Sequence, residues 1–230
     1  MIDIDVDAIK FASADLINTP LLEYGSLQKV PLIISTGGAT INDIDRAVKV
    51  INQTHNNLSI LQCTALYPCD AHNLNLRTIE FLMENYEENL IGLSSHHNGI
   101  AMDLVAYILG ARVIEKHFTL DRAMKGSDHS FSLEPQGMSK LIRDLKRAKE
   151  SLGVKDKIIF DNELSSLKKM QKKIVAKTDL SIGHTITIDD LDFKSPGEGI
   201  EPYKYKELVG KRLNKNIKKE EKFNFEFLDN

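Results

Sequence analysis

Two histidines that close neighbouring apolar runs are the residues of this sequence best suited to chemistry. His96 ends the run 90–96 and His117 ends the run 113–117. Each run is typical of a short parallel strand, and residues 99–111 between them have the pattern of a crossover helix, so both strands would end at one edge of a sheet. α/β folds place their sites at that edge. A single histidine is usually a satisfied polar residue, but two at equivalent strand ends predict a shared divalent metal ion.

Polar groups also follow the first predicted strand, residues 8–12. Lys10, Ser13 and Asp15 supply a cation, a hydroxyl and a carboxylate close together in the chain. Alternation along a strand puts Lys10 on the face opposite Ser13 unless the strand bends at its end. In the lumen of a barrel, the Lys10 ammonium would suit a phosphate or a carboxylate group.

Three further strand ends carry polar groups. The turn 35–38 contains two glycines that permit a ligand to approach the backbone, and Thr40 begins a helix whose N-terminus can hold an anion; an ordinary βα turn is the alternative. Tyr67 precedes a proline, which favours an extended backbone from which the side chain can reach a ligand. Asp128 lies in the polar loop 125–130 and could bind a sugar. This convergence at every strand end is stronger evidence than any single motif.

The elements that would position these groups form a βα repeat. Strand-like runs at residues 8–12, 30–35, 59–63, 90–93 and 113–115 alternate with helical segments, of which residues 41–54, 76–85 and 135–152 are the clearest. The count is five βα units, whereas an eight-stranded βα barrel needs roughly 250 residues. The pattern therefore predicts either an open sheet or a barrel that lacks its first three units.

A change of composition after Gly153 predicts a second domain. Residues 154–172 are polar and rich in lysine, which is typical of a linker. Residues 173–230 contain short β runs separated by turns. We therefore divide the chain into an α/β domain at 1–153, a linker at 154–172 and a small, mainly-β domain at 173–230.

The composition limits the classes of function that we expect for this chain. The chain has 230 residues, 42% of them hydrophobic, and a formal net charge of −3, which gives no reason to expect nucleic-acid or membrane binding. The only cysteines, Cys63 and Cys69, form no CxxC motif and fit reduced thiols. The N-terminus lacks the pattern of a signal peptide, so the sequence predicts a cytoplasmic protein.

Several of these motifs, taken in order, resemble one known family. Ser35-Thr36-Gly37, Tyr67-Pro68, residues 115–121 and residues 125–135 are similar to motifs of the sialic acid (N-acetylneuraminate) synthases. The tail from residue 175 to 200 resembles the antifreeze-like domain of these enzymes. The resemblance implies a partial TIM-type β/α barrel followed by a small, mainly-β antifreeze-like (SAF, β-clip) domain.

The activity that this resemblance implies is a condensation of phosphoenolpyruvate with an N-acetylmannosamine-type sugar, which gives a nine-carbon sialic-type 2-keto acid and phosphate. In that family, carbon 3 of phosphoenolpyruvate attacks the open-chain aldehyde, water adds to carbon 2, and phosphate leaves by C–O cleavage. A divalent metal polarises the aldehyde, Mn²⁺ being the expected ion and Mg²⁺ or Co²⁺ the alternatives. A domain-exchanged homodimer is also implied.

The resemblance assigns roles to residues at matching positions. The metal ligands are His96 and His117. The residues that hold phosphoenolpyruvate are Lys10, Ser13 and Ser94. Asp15 matches a position near the reacting carbons, and the sugar-facing positions are those of Tyr67, Glu115 and Asp128. Asp15 and Glu115 are taken as catalytic.

Departures from the family pattern leave alternatives open. About three βα units that family members place first are absent here. Ser195 stands where the family commonly has an arginine, and the neighbouring Lys194 lacks the bidentate fork of a guanidinium. Ala65 replaces an asparagine found in some members, so the sugar could be that of a legionaminic or pseudaminic acid synthase. Two other readings are a truncated, noncatalytic remnant that binds metal or phosphate, and an interaction module built on the β-rich tail.

Overall fold

The chain forms two compact units in a computed structural model that describes residues 5–229. The first unit extends to Gly153 and the second begins at Val154. Each is described separately. Among the described residues, no helix is both long enough and apolar enough to cross a membrane.

Five parallel strands and the helices around them make up the first unit. The elements are β1 (Ile9–Phe11), α1 (Thr19–Ser26), β2 (Leu32–Ser35), α2 (Ile41–Asn52), β3 (Leu58–Cys63), α3 (Thr78–Asn85), β4 (Leu90–Ser95), α4 (Ala101–Ile108), β5 (Val113–Lys116) and α5 (Pro135–Ser151). The strands pair in chain order from β1 to β5. The sheet forms half of a barrel, which confirms the predicted partial β/α barrel.

Alternation along the strands separates a convex face from a concave face. The convex face packs against the helices through buried apolar residues, among them Ile9, Phe11, Leu32, Ile34, Leu58, Ile60, Ile91 and Leu93. Residues at the intervening positions, such as Lys10, Ser94 and Glu115, therefore point to the concave face. Because the strands are parallel, all their C-terminal ends lie along one rim of that face.

Helix α2 illustrates how local sequence determines an element. Thr40 caps it as predicted, and the side chains and backbone of Thr40 and Asp43 form a capping box. The buried residues of the helix are Ile44, Ala47, Val48 and Ile51, whose helical spacing makes one apolar stripe. The hydrogen bonds from Thr40 lower the pKa of Asp43 to about 2.

Helix α4 occupies the predicted crossover. Its buried residues are Asp103 and Ala106, whereas Val105 and Ile108 are exposed to 42% and 56%. A charged residue thus shares the buried side of this helix with an alanine. A buried acidic residue requires a partner, and Lys116 provides it.

The second unit contains a small antiparallel sheet. Its elements are α6 (Asp161–Met170), β6 (Lys173–Ala176), β7 (Leu191–Lys194) and α7 (Tyr205–Leu208). Strands β6 and β7 pair antiparallel, and isolated bridges such as Leu180 to Ile217 add further short pairings. A separate hydrophobic core of this unit contains Ile174, Leu208 and Phe223. The segment interpreted as a linker contains α6, of which no residue is buried.

Candidate functional site

The two histidines lie together at the rim of the concave face. The ring centroids of His96 and His117 are 5.2 Å apart, with an interplanar angle of 78°. Nδ1 of His96 lies 3.0 Å from the carbonyl oxygen of Thr64. Because a carbonyl only accepts, Nδ1 carries the proton and Nε2 keeps a free lone pair. Burial lowers the pKa of His96, against the opposing effect of the Thr64 carbonyl, so the ring is neutral at pH 7.

His117 is held by a backbone pairing that continues beyond β5. The amide of Leu133 donates to the carbonyl of His117 over 2.9 Å, and the amide of Thr119 donates to the carbonyl of Leu133 over 2.9 Å. Because of this pairing, the chain that follows the polar loop 125–130 lies beside the residues that follow β5. Oδ2 of Asp128 consequently lies 3.6 Å from Nδ1 of His117. The structure therefore brings together the predicted metal ligand and the predicted sugar-facing carboxylate.

An ion pair spans the concave face between its first and last strands. Nζ of Lys10, from β1, lies 3.0 Å from Oε1 of Glu115, from β5. The other carboxylate oxygen, Oε2 of Glu115, is buried and has no hydrogen-bond partner within residues 5–229. A buried carboxylate oxygen without a partner is costly unless a further ligand meets it.

Two donors at this rim suit a divalent cation. His96 offers the unprotonated Nε2, and the ring of His117 lies beside it. Imidazole nitrogen is a common ligand of first-row divalent ions. Within the described part of the chain, no group of three or more His, Cys, Asp or Glu side chains is arranged to hold a metal ion.

Aromatic rings pack against the histidine pair. Tyr67 stacks on His96 with ring centroids 4.0 Å apart and lies edge-on to His117 at 5.9 Å. Burial raises the pKa of the Tyr67 phenol, and nearby acidic groups add to the effect. Phe131 packs against His117 at 5.0 Å and is 2% exposed. Sequence analysis missed Phe131, although its position as an apolar residue directly after a polar loop was a signal.

Of the predicted phosphoenolpyruvate residues, Lys10 and Ser94 lie on the concave face, and Ser13 follows the end of β1. Oγ of Ser13 accepts a hydrogen bond from the Gly37 amide over 2.9 Å, and Ser94 is buried. At the N-terminus of α2, the carboxylate of Asp43 accepts hydrogen bonds from the amide of Thr40 at 2.9 Å and from its hydroxyl at 2.6 Å. The anion site at this helix end stays a prediction, with an ordinary βα turn as the alternative.

Asp15 is the predicted site residue with the fewest contacts. It ends a short 3-10 turn, Ser13–Asp15, directly after β1. Among residues 5–229, no hydrogen bond or ion pair joins its carboxylate to the histidines, to Lys10 or to Glu115. Its proposed place near reacting carbons stays a prediction.

A buried ion pair lies behind the site on the convex face, and sequence analysis missed it. Nζ of Lys116 is 3.2 Å from Oδ2 of Asp103, and their side chains are 3% and 0% exposed. Burial raises the pKa of Asp103 and lowers that of Lys116, and in each case the partner's charge opposes the shift. Period-two alternation was the available signal, since Lys116 falls on the convex face of β5.

In the second unit, Lys194 is already committed to partners within that unit. Its Nζ lies 2.6 Å from Oε1 of Glu220 and 3.5 Å from Oδ2 of Asp192. Oγ of Ser195 donates to the carbonyl of Met170 over 2.9 Å. Lys194 is thus paired with two carboxylates, and Ser195 with a backbone carbonyl.

Comparison with known families finds two matches that cover most of the chain. The profile of the NeuB family matches residues 1–157, and that of the SAF domain matches residues 173–221. The second match confirms the predicted antifreeze-like domain.

Known proteins with similar sequences carry related names. The chain is 33% identical over 229 residues to the N-acetylneuraminate-9-phosphate synthase of Homo sapiens, covering 99% of this chain and 64% of that protein. It is 33% identical to the N,N'-diacetyllegionaminic acid synthase of Legionella pneumophila, covering 94% of this chain and 62% of that protein. The chain thus spans less than two thirds of the length of these relatives.

A solved structure has the same fold. It is the N-acetylneuraminic acid (sialic acid) synthetase of Leptospira borgpetersenii, crystallised with citrate, which superposes with a TM-score of 0.65 at 33% identity. The match covers 72% of this chain and 57% of that one.

Proposed function

This chain belongs to the NeuB family of sialic acid synthases, and from that premise we propose that it joins phosphoenolpyruvate to an N-acetylmannosamine-type sugar. The products would be a nine-carbon 2-keto acid and inorganic phosphate. The observation that carries the proposal is the cluster at the rim of the concave face, where His96 and His117 lie beside the Lys10–Glu115 ion pair.

The bond changes of the proposed reaction balance without a redox partner. Carbon 3 of phosphoenolpyruvate forms a bond to the aldehyde carbon of the open-chain sugar, and the aldehyde oxygen gains a proton to become a hydroxyl. Water adds to carbon 2 and loses a proton, after which the C–O bond to phosphate breaks and the ketone forms. The reaction therefore needs groups that bind anions and groups that move protons.

The residues at the rim supply both kinds of group. The Lys10 ammonium binds the carboxylate or phosphate of phosphoenolpyruvate, with the hydroxyls of Ser13 and Ser94 as further donors. Glu115 and Asp15 move protons at the reacting atoms, and an anionic substrate that binds Lys10 would release Glu115 from its 3.0 Å ion pair. Tyr67 and Asp128 border the histidines and would orient the sugar.

We propose Mn²⁺ as the ion held by His96 and His117, with Mg²⁺ or Co²⁺ as alternatives. A bound divalent ion would act as a Lewis acid on the sugar aldehyde and would orient it. The neutral state of His96 and its fixed Nδ1 proton keep Nε2 available to the ion at pH 7.

The sugar and the assembly are separate parts of the proposal. We propose N-acetylmannosamine or a close amino-sugar analogue as the acceptor, because the similar proteins include both N-acetylneuraminate-9-phosphate and N,N'-diacetyllegionaminic acid synthases. We also propose a domain-exchanged homodimer, for which light scattering of the purified chain should give twice the chain mass. A measured mass equal to that of one chain would contradict the domain-exchanged homodimer.

The experiment that tests this function measures phosphate released from phosphoenolpyruvate by the full chain with Mn²⁺. The acceptors compared are N-acetylmannosamine, its 6-phosphate, its diamino analogues and no sugar. Release that depends on one of the sugars supports the proposal and identifies the acceptor. The His96→Ala and His117→Ala variants should lose this release at least 100-fold.

A matched control comes from the neighbouring residue. Nδ1 of His97 bonds to the carbonyl of Cys69, away from the ring pair, so His97→Ala removes the same ring type without removing a proposed ligand. This variant should keep its activity within a few-fold. Equal loss in His96→Ala and His97→Ala would contradict the metal assignment.

A noncatalytic role is the second candidate, favoured by the open sheet. Among the described residues, β1 and β5 each pair with only one strand, so the concave face is not enclosed. A chain that binds Mn²⁺ through His96 and His117, but releases no phosphate with any sugar, would support a role in metal or phosphate binding without turnover.

A further inference from the structure

Lys116 is a buried lysine whose ammonium has three partners. Its Nζ lies 3.0 Å from Oγ of Ser95, 2.6 Å from the carbonyl oxygen of His97 and 3.2 Å from Oδ2 of Asp103. Two of the three donors of the ammonium make hydrogen bonds, to Ser95 and His97, and the contact with Asp103 is an ion pair; both carboxylate oxygens of Asp103 are buried without a hydrogen-bond partner among residues 5–229. The side chains of Lys116 and Asp103 are 3% and 0% exposed, so water does not compete for these bonds.

These partners belong to different segments of the chain. Ser95 ends β4, His97 belongs to the loop that follows it, and Asp103 lies in α4. Lys116 itself ends β5. One ammonium therefore connects the ends of two neighbouring strands to each other and to the crossover helix between them.

The anchored residues alternate with the residues of the site. His96 lies between Ser95 and His97, and Lys116 lies between Glu115 and His117. Because neighbouring side chains on a strand point to opposite faces, an anchor on the convex face holds the backbone that carries each imidazole on the concave face. The separation of the two rings thus depends on where Lys116 holds the strand ends.

Stability alone does not explain an ion pair at this place. Replacing a buried pair by apolar residues of similar volume is often neutral or stabilising, because removal of two charges from water is costly. Most of the buried residues on the convex face are apolar, with Gln62 and Ser95 as buried polar residues besides Lys116. What the ammonium adds, compared with an apolar side chain, is directional bonding to a hydroxyl and to a backbone carbonyl.

We propose that Lys116 is a positioning residue that sets the spacing of His96 and His117 for the divalent cation. This inference rests on the proposed function, since that function assigns the two histidines to the metal. Lys116 touches neither the substrate nor the ion in this proposal. It acts through the backbone of residues 95–97 and of β5.

The test uses the full chain with Lys116→Met and Asp103→Leu combined, so that no charge is left buried alone. Two measurements are made: the dissociation constant of Mn²⁺ by direct titration, and the hydrogen exchange of two backbone amides without metal. The amides are those of Cys69 and Leu133, which donate to the carbonyls of His96 and His117 over 3.0 and 2.9 Å. Their exchange reports whether these carbonyls stay in place.

The expected result for the double variant is a folded chain, judged by circular dichroism, that exchanges both amides at least tenfold faster. Its dissociation constant for Mn²⁺ should rise 10- to 100-fold, as is typical when an outer partner of a metal ligand is removed. Tyr86→Phe is the matched control, since it removes a 2.7 Å hydrogen bond to Asp45 from the same helix layer and should change neither reading more than twofold.

Ser95→Ala keeps the result decisive if the double variant does not fold, because it removes one acceptor and leaves the ion pair. It should speed exchange of the Cys69 amide and weaken Mn²⁺ binding several-fold. Unchanged exchange, or faster exchange with unchanged Mn²⁺ affinity, would overturn the role of Lys116. Faster exchange in a chain whose unaltered form binds no Mn²⁺ would support the anchoring by Lys116 and remove the metal from the proposed function.

Discussion

Gly92 provides the sharpest test of how the strands near the site are spaced. It lies in β4 on the concave face, two residues before Ser94, and pairs with Val113 of β5. A Cβ added at Gly92 would lie 2.3 Å from the carbonyl oxygen of Val113 and 2.4 Å from Cδ2 of Leu61. Gly92→Ala should therefore push β4 and β5 apart.

The expected loss of stability depends on which of the crowded atoms can move. A relaxed contact between carbon and a carbonyl oxygen is about 3.3 Å, so the 2.3 Å contact is about 1 Å too short. Leu61 can rotate, but the Val113 carbonyl is backbone and is fixed in the sheet. Overpacking of this kind costs about 1–3 kcal/mol, and one lengthened ladder hydrogen bond adds about 1 kcal/mol. We expect Gly92→Ala to lower the free energy of unfolding by about 3 kcal/mol.

Urea unfolding followed by circular dichroism measures this loss. The control is Gly137→Ala in α5, where the new Cβ would meet only the Leu133 side chain, at 3.3 Å or more, and where alanine favours the helix by up to about 1 kcal/mol. Gly137→Ala should be neutral or stabilising. A loss below about 0.5 kcal/mol in Gly92→Ala, or a loss equal to that of the control, would refute the argument from strand spacing.

Three further predictions concern local features. Thr40→Ala removes the capping box with Asp43 and should lower stability by about 1 kcal/mol, measured by urea unfolding. Because burial lowers the pKa of His96, the unfolded chain binds its proton more readily; stability should fall as pH drops below 6.5, and the fall should be smaller in His96→Gln. Tyr67→Ala uncovers the His96 ring and should raise the pKa of His96, measured by NMR titration; an unchanged pKa would contradict burial as the cause.

The placement of the histidines could be predicted because it depends on two simple regularities. Parallel strands end at one rim, and side chains alternate between faces. His96 directly follows β4 with the same parity as Ser94, His117 directly follows β5 with the same parity as Glu115, and the register pairs Ser94 with Glu115. Two strand assignments were therefore sufficient to place four polar side chains on one face. The βα repeat followed from the same periodic pattern.

Contacts between distant positions could not be predicted in this way. Hydrophobic periodicity assigns Asp103 to solvent, yet α4 buries it, because Lys116 lies opposite it on β5. At the N-terminus of α2, the carboxylate of Asp43 folds back onto the amide and the hydroxyl of Thr40. In both cases the local structure depends on a charged side chain that lies several residues away in the sequence or on a neighbouring element. A pattern of apolar positions carries no information about such a charge.

The two faces of β5 carry ion pairs that differ in exposure to solvent, and this difference suits the two pairs to different roles. Glu115 on the concave face pairs with Lys10, whose side chain is 32% exposed, so an incoming anion can compete for that ammonium at modest cost. Lys116 on the convex face is 3% exposed, and breaking its pair would leave a charge buried without a partner. One strand thus presents an exchangeable ion pair to the site and keeps a non-exchangeable one behind it. The proposed function, in which a charged substrate enters while two imidazoles stay at one spacing, would use both ion pairs.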